Sequence, residues 1–309
     1  MDKIKLLAIV GPTASGKSGL ALDVANYFGA EIVSVDSMLV YRGMDIGTAK
    51  PTVAELSSVA HHMIDIVDPG AGFSAADYRE RASAVIEDIT ARGKRALVAG
   101  GTGLYLRALL EGIFEGPPGN DELRREFDAV IERGGPGGLH AELAEVDPEA
   151  AARIHPNDAV RIVRALEVYR MTGRSISSLH SEQARAGSPY ETLKIGLNKE
   201  RADLYEDINR RVDSMMERGL LAEVRRLLDK GYGSELRPMQ ALGYKEMVSH
   251  IEGGVELKEA VEALKKNTRN FAKRQLTWFG KDKEIRWFAP GEKTAIMAAA
   301  SGLWPSGTG

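Results

Sequence analysis

Short apolar runs alternate with amphipathic segments along the first part of the chain. The run KIKLLAIV ends in glycine, and the segment GKSGLALDVANYFG that follows has helical apolar spacing up to Gly29. Further buried strands are predicted at AEIVSVDS, which ends near Asp36, at HHMIDIV and at RALVAGG. Because strands alternate with helices, the pattern predicts a parallel, doubly wound α/β sheet whose ligands gather at the carboxyl ends of its strands.

Two helix starts are marked in this region. In FSAADYRERASAVIEDITARGK, Ser74 and Asp77 have capping-box spacing, and Gly93 follows as a stop. The segment TGLYLRALLEG begins a helix directly after a glycine-rich strand end. Both segments therefore continue the alternation of strand and helix.

The pattern changes at EGIFEGPPGND. From Glu115 to Leu193 the apolar spacing is helical throughout, without a convincing strand, which predicts an α-helical insertion lying over the strand ends. We therefore predict a core whose first part spans residues 1–114, a helical insertion domain at 115–193, and a completion of the core at 194–309.

The last part of the chain is predicted to be mainly helical. A short strand at KIGL leads into one long helix through INRRVDSMMERGLLAEVRRLLDKG, in which Leu204, Ile208, Val212 and Met215 share a face. Two more helices, around ALGYKEMVSHI and VELKEAVEALKKNTRNFAKRQLTWFGK, lead to a terminal strand at IRWF. The tail SGLWPSGTG is expected to be unstructured.

The composition is that of an ordinary globular protein. The chain has 309 residues, of which 43% are hydrophobic, so it can bury a large core. It has no cysteine, which excludes disulfides, thiolate metal ligands and a cysteine nucleophile. Since the sequence has neither a signal peptide nor an apolar run long enough to span a membrane, we expect a cytoplasmic protein without a membrane partner.

Charge is unevenly distributed. The formal net charge of −3 would argue against nucleic acid as a partner, but eight Lys or Arg residues and only two acidic residues lie between Lys265 and Arg286. This basic segment is typical either of a solvated helix face or of a surface that contacts nucleic-acid phosphates.

The segment GPTASGKS, from Gly11 to Ser18, fits the phosphate-loop pattern G-x-x-x-x-G-K-[ST] between a predicted strand and a predicted helix. In this pattern backbone N–H groups cradle a phosphate chain, Lys17 supplies a positive charge and Ser18 can ligate Mg²⁺. The sequence shows no clear signature for a nucleotide base and no arginine-rich lid, so the bound diphosphate need not belong to ATP.

Other polar residues are candidates for contact with a ligand at the strand ends. Asp36 could hold Mg²⁺ through water, act as a base or cap the next segment, and Thr102 could contact a ligand or cap a helix. His61 and His62 are interpreted as structural, since adjacent strand residues point to opposite faces and no further ligand follows at metal-binding spacing. These residues leave open an ATP-dependent phosphoryl-transfer enzyme, another transferase, and an RNA-binding protein that uses a nucleotide as a switch.

The order of several blocks resembles that of the bacterial tRNA dimethylallyltransferases, also called isopentenyl-tRNA transferases. The resemblance is collinear over nearly the whole chain, through GPTASGKS, DSMLVYRGMDIGTAKPT, HHMIDIVDP, FSAADYRE, GGTGLYLRALLEG, ARIHPNDAVRIVRALEVYRMTG, INRRVDSMMERGLLAEV, QALGYKEM and NTRNFAKRQLTWF. It implies a P-loop NTPase-like parallel sheet flanked by helices, with an α-helical insertion domain. It also implies transfer of a dimethylallyl group from dimethylallyl diphosphate to the exocyclic amine of the adenosine just 3′ of a tRNA anticodon. A related enzyme that acts on a free adenine nucleotide is the alternative.

The resemblance also implies which residues act. Asp36 matches the family's general base, and Arg211 and Thr13 match residues that act on the departing diphosphate, with Mg²⁺ near Ser18. Thr102 matches a position that contacts tRNA. The residues that match the diphosphate-binding loop are Gly11, Pro12, Thr13, Ala14, Ser15, Gly16, Lys17 and Ser18.

Three segments match family contacts to tRNA, and the insertion matches the part that grips the anticodon stem-loop. They comprise Asp36, Ser37, Met38 and Leu39, then Val160, Arg161, Ile162, Val163 and Arg164, and finally Met239, Gln240, Ala241, Leu242, Gly243 and Tyr244. The chain departs from the family pattern at Leu39 and Val160, where glutamine is common, and at Gly280, where arginine is common. A monomer that binds no DNA is expected.

Overall fold

The computed structural model describes residues 3–112, 116–117, 119–185 and 187–305. The chain divides into two compact units, one made of Met1–Leu110 with Pro189–Gly309 and the other of Glu111–Ser188. The boundary predicted between residues 114 and 115 lies outside the described residues.

The first unit is built on a six-stranded sheet in which every pairing among the described residues is parallel. The strands are β1 (Ile4–Val10), β2 (Ala30–Val35), β3 (His61–His62), β4 (Arg95–Gly100), β5 (Tyr190–Leu197) and β6 (Arg286–Phe288), in the spatial order β3-β2-β4-β1-β5-β6. The predicted class, a parallel sheet flanked by helices, is confirmed. The central strands read as continuous apolar runs because both of their faces are covered.

The first unit also contains helices, most of which cover the two faces of the sheet. They are α1 (Lys17–Phe28), α2 (Val53–Ser58), α3 (Ala75–Ala91) and α4 (Gly103–Glu111) in the first stretch of the unit, and, after the second unit, α10 (Arg201–Glu217), α11 (Leu220–Asp229), a 3₁₀ turn (Arg237–Gln240), α12 (Tyr244–Ile251), α13 (Leu257–Phe279) and α14 (Lys293–Leu303). One face of the sheet packs with α1 and α14, and the other with α3, α4 and helices of the C-terminal stretch. None of the described helices combines the length and apolar character needed to cross a bilayer.

The second unit consists of helices among its described residues. They are α5 (Asp121–Gly134), α6 (Gly137–Val146), α7 (Pro148–Arg153), α8 (Ala159–Thr172) and α9 (Ile176–Arg185), and their core is formed around Phe127, Leu139, Leu143, Ile162 and Leu166. The insertion was predicted to reach Leu193, but β5 begins at Tyr190. The polar residues Glu191 and Thr192 at the start of this strand interrupt the apolar run, so the beginning of β5 was not predicted.

The local signals identify several element ends. Ser74 and Asp77 form the predicted capping box at the start of α3, with Ser74 Oγ accepting from the Asp77 N–H. Gly29 adopts a left-handed conformation and ends α1 as predicted. In the C-terminal stretch, Leu204, Ile208, Val212 and Met215 form the predicted buried face of α10.

Three predicted elements were wrong in extent. The strand predicted over HHMIDIV is only two residues long, because Met63 and Asp65 adopt left-handed φ angles of 63° and 56° that break the pairing. The predicted single long helix is two helices, α10 and α11, because Gly219 has φ 93° between them. The tail is helical to Leu303, and Trp304 is buried against Phe28, whereas residues 306–309 lie outside the described part.

Candidate active site

The phosphate loop joins β1 to α1 at the carboxyl edge of the central strands. Gly11 has φ +148°, and a Cβ at this position would lie 2.6 Å from the Leu197 carbonyl oxygen, so glycine is required for the loop to pass β5. Helix α1 begins at Lys17 without a side-chain cap. The N–H groups of its first turn and the positive end of its dipole would therefore face an anion bound in the loop.

Lys17 contributes a cation that is held by the loop itself. Its Nζ donates a hydrogen bond to the Pro12 carbonyl oxygen at 3.1 Å. Burial and the neighbouring Arg211 lower the pKa of Lys17 to about 8, while Asp36 opposes this shift. Because no carboxylate of the described residues forms an ion pair with Lys17, an anionic ligand would stabilise its charged form.

Thr13 connects the loop to two helices that come much later in the chain. Arg211 of α10 donates from Nη1 to Thr13 Oγ1 at 2.8 Å, and the Thr13 N–H donates to Gln275 Oε1 of α13 at 2.8 Å. Gln275 Nε2 in turn donates to the Gly101 carbonyl oxygen at 2.9 Å. A Cβ on Gly101 would lie 2.2 Å from Gln275 Nε2, so the residue before Thr102 must be glycine for this link to form.

Gln275 was not among the predicted site residues. It lies on the buried face of α13 with Thr268, Ala272 and Phe279. A glutamine on a mainly apolar helix face is a detectable signal, because a buried amide needs partners for its carbonyl and its NH₂ group. Those partners, Thr13 and Gly101, are 262 and 174 positions away, so they cannot be read from the local pattern.

Asp36 lies directly after β2, as predicted. Its Oδ1 accepts hydrogen bonds from the N–H groups of Met38 at 2.8 Å and Leu39 at 3.4 Å. Burial raises the pKa of the Asp36 carboxyl above its ordinary value, and these hydrogen bonds together with Lys17 and Arg211 oppose the shift. Within the described residues no donor bonds to Oδ2, so this oxygen can accept a proton from a ligand.

Thr102 is joined by hydrogen bonds to Ser37, in the strip of residues from Asp36 to Leu39 that follows β2. Its Oγ1 accepts from the Ser37 N–H at 3.0 Å and lies 3.4 Å from Ser37 Oγ, while its own N–H donates to the Val35 carbonyl oxygen. The structure therefore brings together the predicted residues Thr13, Lys17, Asp36, Thr102 and Arg211 at one edge of the sheet.

A cavity of about 340 Å³ opens beside the loop and next to Ser18 and Arg211. Its apolar wall includes Ala21, Leu22, Ile32, Ala49, Ile64, Ala99 and Met215, and its polar wall includes Ser18, Ser34, Lys50 and Ser214. The hydroxyl of Ser34 is buried without a hydrogen-bond partner among the described residues. Hydroxyl and phosphate oxygens suit Mg²⁺, and the described residues hold no cluster of three or more His, Cys, Asp or Glu for a different metal site.

The loop that follows the strip from Asp36 to Leu39 is fixed by hydrogen bonds to a buried carboxylate. Glu223 of α11 accepts from the N–H groups of Asp45, Ile46 and Gly47 at 3.0, 2.8 and 3.1 Å, and from the Tyr244 hydroxyl at 2.8 Å. Four donors keep this carboxylate satisfied although it is almost completely buried. Glu223 was not predicted as part of the site.

The predicted tRNA-contacting segments differ in exposure. In α8, Val160 and Arg161 are exposed, whereas Ile162 is fully buried in the core of the second unit, and Arg164 bonds to Glu167 and to the Pro117 carbonyl oxygen. In the last segment, Gln240 is exposed, Ala241 and Leu242 are partly exposed, and Met239 and Tyr244 are completely buried. The side chains of Ile162, Met239 and Tyr244 therefore support neighbouring surface rather than form it.

The two adjacent histidines have local partners. His61 Nδ1 lies 2.8 Å from the Val59 carbonyl oxygen, and His62 Nε2 lies 2.8 Å from Glu31 Oε2. In the basic segment, Lys265 pairs with Asp213 and Arg269 donates to Asn209, whereas Lys273 and Arg274 are exposed. Part of the basic segment is therefore structural, and part faces solvent.

The chain is similar to known enzymes over nearly its whole length. The family model described as IPP transferase matches residues 39–282. The chain is 52% identical to tRNA dimethylallyltransferase 2 of Syntrophus aciditrophicus, covering 97% of this chain and 96% of that protein. A full-length tRNA isopentenylpyrophosphate transferase from Bacillus halodurans has a TM-score of 0.73 at 42% identity, covering 97% of both chains. A eukaryotic dimethylallyltransferase that acts on tRNA has a TM-score of 0.79 at 29% identity, covering 97% of this chain and 77% of that one.

Proposed function

Because the chain belongs to the IPP transferase family, we infer that it is a tRNA dimethylallyltransferase. It transfers the dimethylallyl group of dimethylallyl diphosphate to the exocyclic amine of the adenosine immediately 3′ of the anticodon in certain tRNAs, and releases diphosphate. One structural observation supports this reaction most directly. A carboxylate, Asp36, and two cations, Lys17 and Arg211, lie close enough to influence one another's pKa at the phosphate loop.

The comparisons favour this reaction over its alternatives. The relatives that match nearly the whole chain carry names of tRNA-modifying prenyltransferases. They therefore favour a tRNA acceptor over a free adenine nucleotide, and prenyl transfer over phosphoryl transfer from ATP. An RNA-binding protein that uses a nucleotide only as a switch would not need a proton-accepting carboxylate such as Asp36 beside its phosphate loop.

Asp36 is proposed as the general base. The exocyclic nitrogen attacks C1 of the dimethylallyl group, the bond between C1 and the diphosphate oxygen breaks, and one proton of the nitrogen passes to Asp36. An aromatic amine becomes acidic only as its new bond forms, so an ionised carboxylate within hydrogen-bond reach is a suitable acceptor. The bonds from Met38 and Leu39 to Oδ1 fix the carboxylate and leave Oδ2 for the proton.

The leaving diphosphate is proposed to rest in the phosphate loop. The loop N–H groups, Lys17 and the guanidinium of Arg211 would stabilise the charge that builds on the departing oxygen. Arg211 is already oriented by Thr13, which reduces the reorganisation needed in the transition state. When bound, Mg²⁺ held by Ser18 would neutralise diphosphate charge.

The tRNA is proposed to contact three surfaces. The strip from Asp36 to Leu39 and Thr102 would meet the flipped adenosine, whose removal from the stack costs least in a loop. The exposed residues Val160 and Arg161 of the second unit would contact the anticodon stem-loop. Exposed residues around Gln240, and Lys273 and Arg274, would add contacts to phosphates, which supply affinity with little sequence selection. We also propose that the protein acts as a cytoplasmic monomer.

A transfer assay tests this function. Dimethylallyl diphosphate labelled in the prenyl group is incubated with Mg²⁺ and an anticodon stem-loop that has adenosine 3′ of the anticodon. Parallel reactions contain the same stem-loop with guanosine at that position, or AMP. Label in the adenosine stem-loop alone is the expected result. Label in AMP alone would make the protein a free-nucleotide transferase. Label in neither acceptor, together with hydrolysis of ATP in a separate reaction, would make it a phosphoryl-transfer enzyme.

A further inference from the structure

The hydroxyl of Ser34 is the polar group of the site whose role is unexplained. Ser34 is 4% exposed, and its Oγ has no hydrogen-bond partner among the described residues. A buried hydroxyl without a partner is uncommon, because its lost bonds to water are not replaced. Ser15 Oγ shares this state in the described part of the chain, but it lies inside the phosphate loop and does not line the cavity.

The position of Ser34 in the sheet directs it into the cavity. On β2 it pairs in register with Ala99 of β4, and Ala99 is next to Ile9 of β1. These residues belong to the sheet face that packs on α1, where Ala21 lies opposite. Because Ala99 and Ala21 are small, they leave open a space that Ser34 and Ser18 both line.

We propose that Ser34 positions Mg²⁺ by accepting a hydrogen bond from a water molecule of the ion's hydration shell. This inference rests on the proposed function, in which Ser18 and the diphosphate bind the ion. Mg²⁺ gives up its waters reluctantly and is usually held by few protein ligands, so the remaining waters need acceptors. Waters on Mg²⁺ are strong donors, and a serine oxygen near the carboxyl end of β2, which β4 separates from β1, is a suitable partner.

The other residues around the cavity favour a metal ion that keeps most of its water molecules, one of which would donate a hydrogen bond to Ser34. Within the described residues no cluster of three or more carboxylates or imidazoles is available to enclose a metal. Lys50, which lines the cavity together with Arg211 and Arg218, is already bonded to Asp45 and Asp65 at 2.6 Å each, and none of these three cations donates to Ser34 Oγ. The unpartnered oxygen of Ser34 therefore matches an incoming donor that the protein itself does not supply.

The test measures how much Mg²⁺ strengthens the binding of inorganic diphosphate to the full chain. Calorimetric titrations in EDTA and in saturating Mg²⁺ give two dissociation constants, and their ratio is the gain due to the metal. In Ser34→Ala we expect this gain to fall by about tenfold while the dissociation constant in EDTA is unchanged. Ser34→Thr keeps the hydroxyl and should retain most of the gain. An unchanged gain in Ser34→Ala would overturn the inference.

Stability separates this role from a structural one. In EDTA, Ser34→Ala should melt at the same temperature as the wild type or higher, because no protein bond is lost. A lower melting temperature would mean that the hydroxyl has a partner within the protein, and would overturn the proposal. Ser177→Ala is the matched control, since it removes a buried hydroxyl that accepts from Arg153 at 2.9 Å in the second unit. It should lower the melting temperature and leave the Mg²⁺ gain unchanged.

The wild type distinguishes failure of the proposed function from failure of the role proposed for Ser34. If Mg²⁺ gives the wild type no gain, the proposed metal role of Ser18 fails and the role of Ser34 fails with it. If the wild type gains and Ser34→Ala gains equally, only the role of Ser34 is overturned.

Discussion

Arg211 donates a hydrogen bond to the hydroxyl of Thr13 at 2.8 Å, across 198 positions of the sequence. A helix of the C-terminal stretch thereby completes the phosphate loop and fixes a cation beside it. Charge that is already in place stabilises a leaving group without further rearrangement. The relationship between these two residues therefore predicts how the loss of either affects the reaction.

Loss of Arg211 should slow the chemical step. We expect Arg211→Gln to lower the single-turnover rate of transfer about 10²- to 10³-fold, because it removes a charge that acts on the departing diphosphate. Thr13→Val should have a smaller effect, and the double variant should be little worse than Arg211→Gln, since the hydroxyl acts through the guanidinium.

The neighbouring Arg210 offers a matched control. It is exposed and pairs with Asp207 and Glu206, so Arg210→Gln should leave the rate within about twofold. Equal losses in Arg210→Gln and Arg211→Gln, or strictly additive effects of Thr13→Val and Arg211→Gln, would contradict the proposal that Thr13 orients Arg211 towards the diphosphate.

The reaction should depend on the ionisation of Asp36. Burial raises the pKa of this carboxyl above its ordinary value of 3.8, and a base must be ionised to accept a proton. The value of kcat/KM should therefore rise with pH, with the midpoint of this acid limb above 3.8. Asp36→Asn should lose about 10²- to 10⁴-fold in rate and should lack the limb, while the dissociation constant of the stem-loop changes little.

Two variants control for this prediction. Asp36→Glu should keep a limb at a reduced rate, and Asp88→Asn, which removes an exposed carboxylate on α3, should leave the profile unchanged. Full turnover in Asp36→Asn would remove Asp36 from the role of base.

Lys17 should take up a proton when diphosphate binds to the protein at high pH. The free protein holds the pKa of Lys17 at about 8, so at pH 9 the amine is mainly neutral, whereas at pH 6.5 it is already charged. The negative ligand favours the charged form and raises this pKa, so a proton is bound at pH 9 and almost none at pH 6.5.

Calorimetry in buffers of different ionisation enthalpy measures this uptake. Lys17→Arg keeps its charge at both pH values and reports the proton changes of the ligand alone, so the difference between the proteins isolates Lys17. Identical uptake at pH 9 in the two proteins would show that Lys17 does not titrate on binding.

Gln275 should stabilise both the fold and the site. Gln275→Leu leaves the Thr13 N–H and the Gly101 carbonyl oxygen without partners, so unfolding should become easier by about 1–3 kcal/mol. The transfer rate should fall as well, because the loop and the segment before Thr102 lose their link. Chemical denaturation and single-turnover rates measure the two effects.

Thr277→Val tests whether any change on α13 has the same effect. Its hydroxyl donates only to the Lys273 carbonyl oxygen on the exposed face, so stability should change by no more than about 0.5 kcal/mol. A loss in Thr277→Val as large as that in Gln275→Leu would attribute the effect to the helix rather than to the amide.

The sequence predicted the parts of the site that lie next to recognisable element ends. The phosphate loop follows a continuous apolar strand, Asp36 comes directly after β2 and Thr102 comes two residues after β4, so their meeting at one edge follows from the parallel sheet. The position of Arg211 beside Thr13 required the family resemblance, since one arginine on an amphipathic helix resembles any other.

The parts that were missed depend on contacts between distant segments. Glu223 is an ordinary acidic residue in the pattern of α11, and its role appears only when three N–H groups of the loop after β2 are folded onto it. The break at Gly219 was missed because apolar spacing continues across it. The apolar residues of the tail gave no helical pattern long enough to predict α14, whose burial depends on α1 and β5.

The link from Thr13 through Gln275 to Gly101 also bears on how the protein is made. Ribosomes synthesise the phosphate loop near the start of the chain, but Gln275 follows 262 residues later. A nascent chain that ends before α13 therefore contains GPTASGKS without the amide that holds it. The link between the phosphate loop and the segment before Thr102 therefore forms only after most of the polypeptide, including α13, has been synthesised.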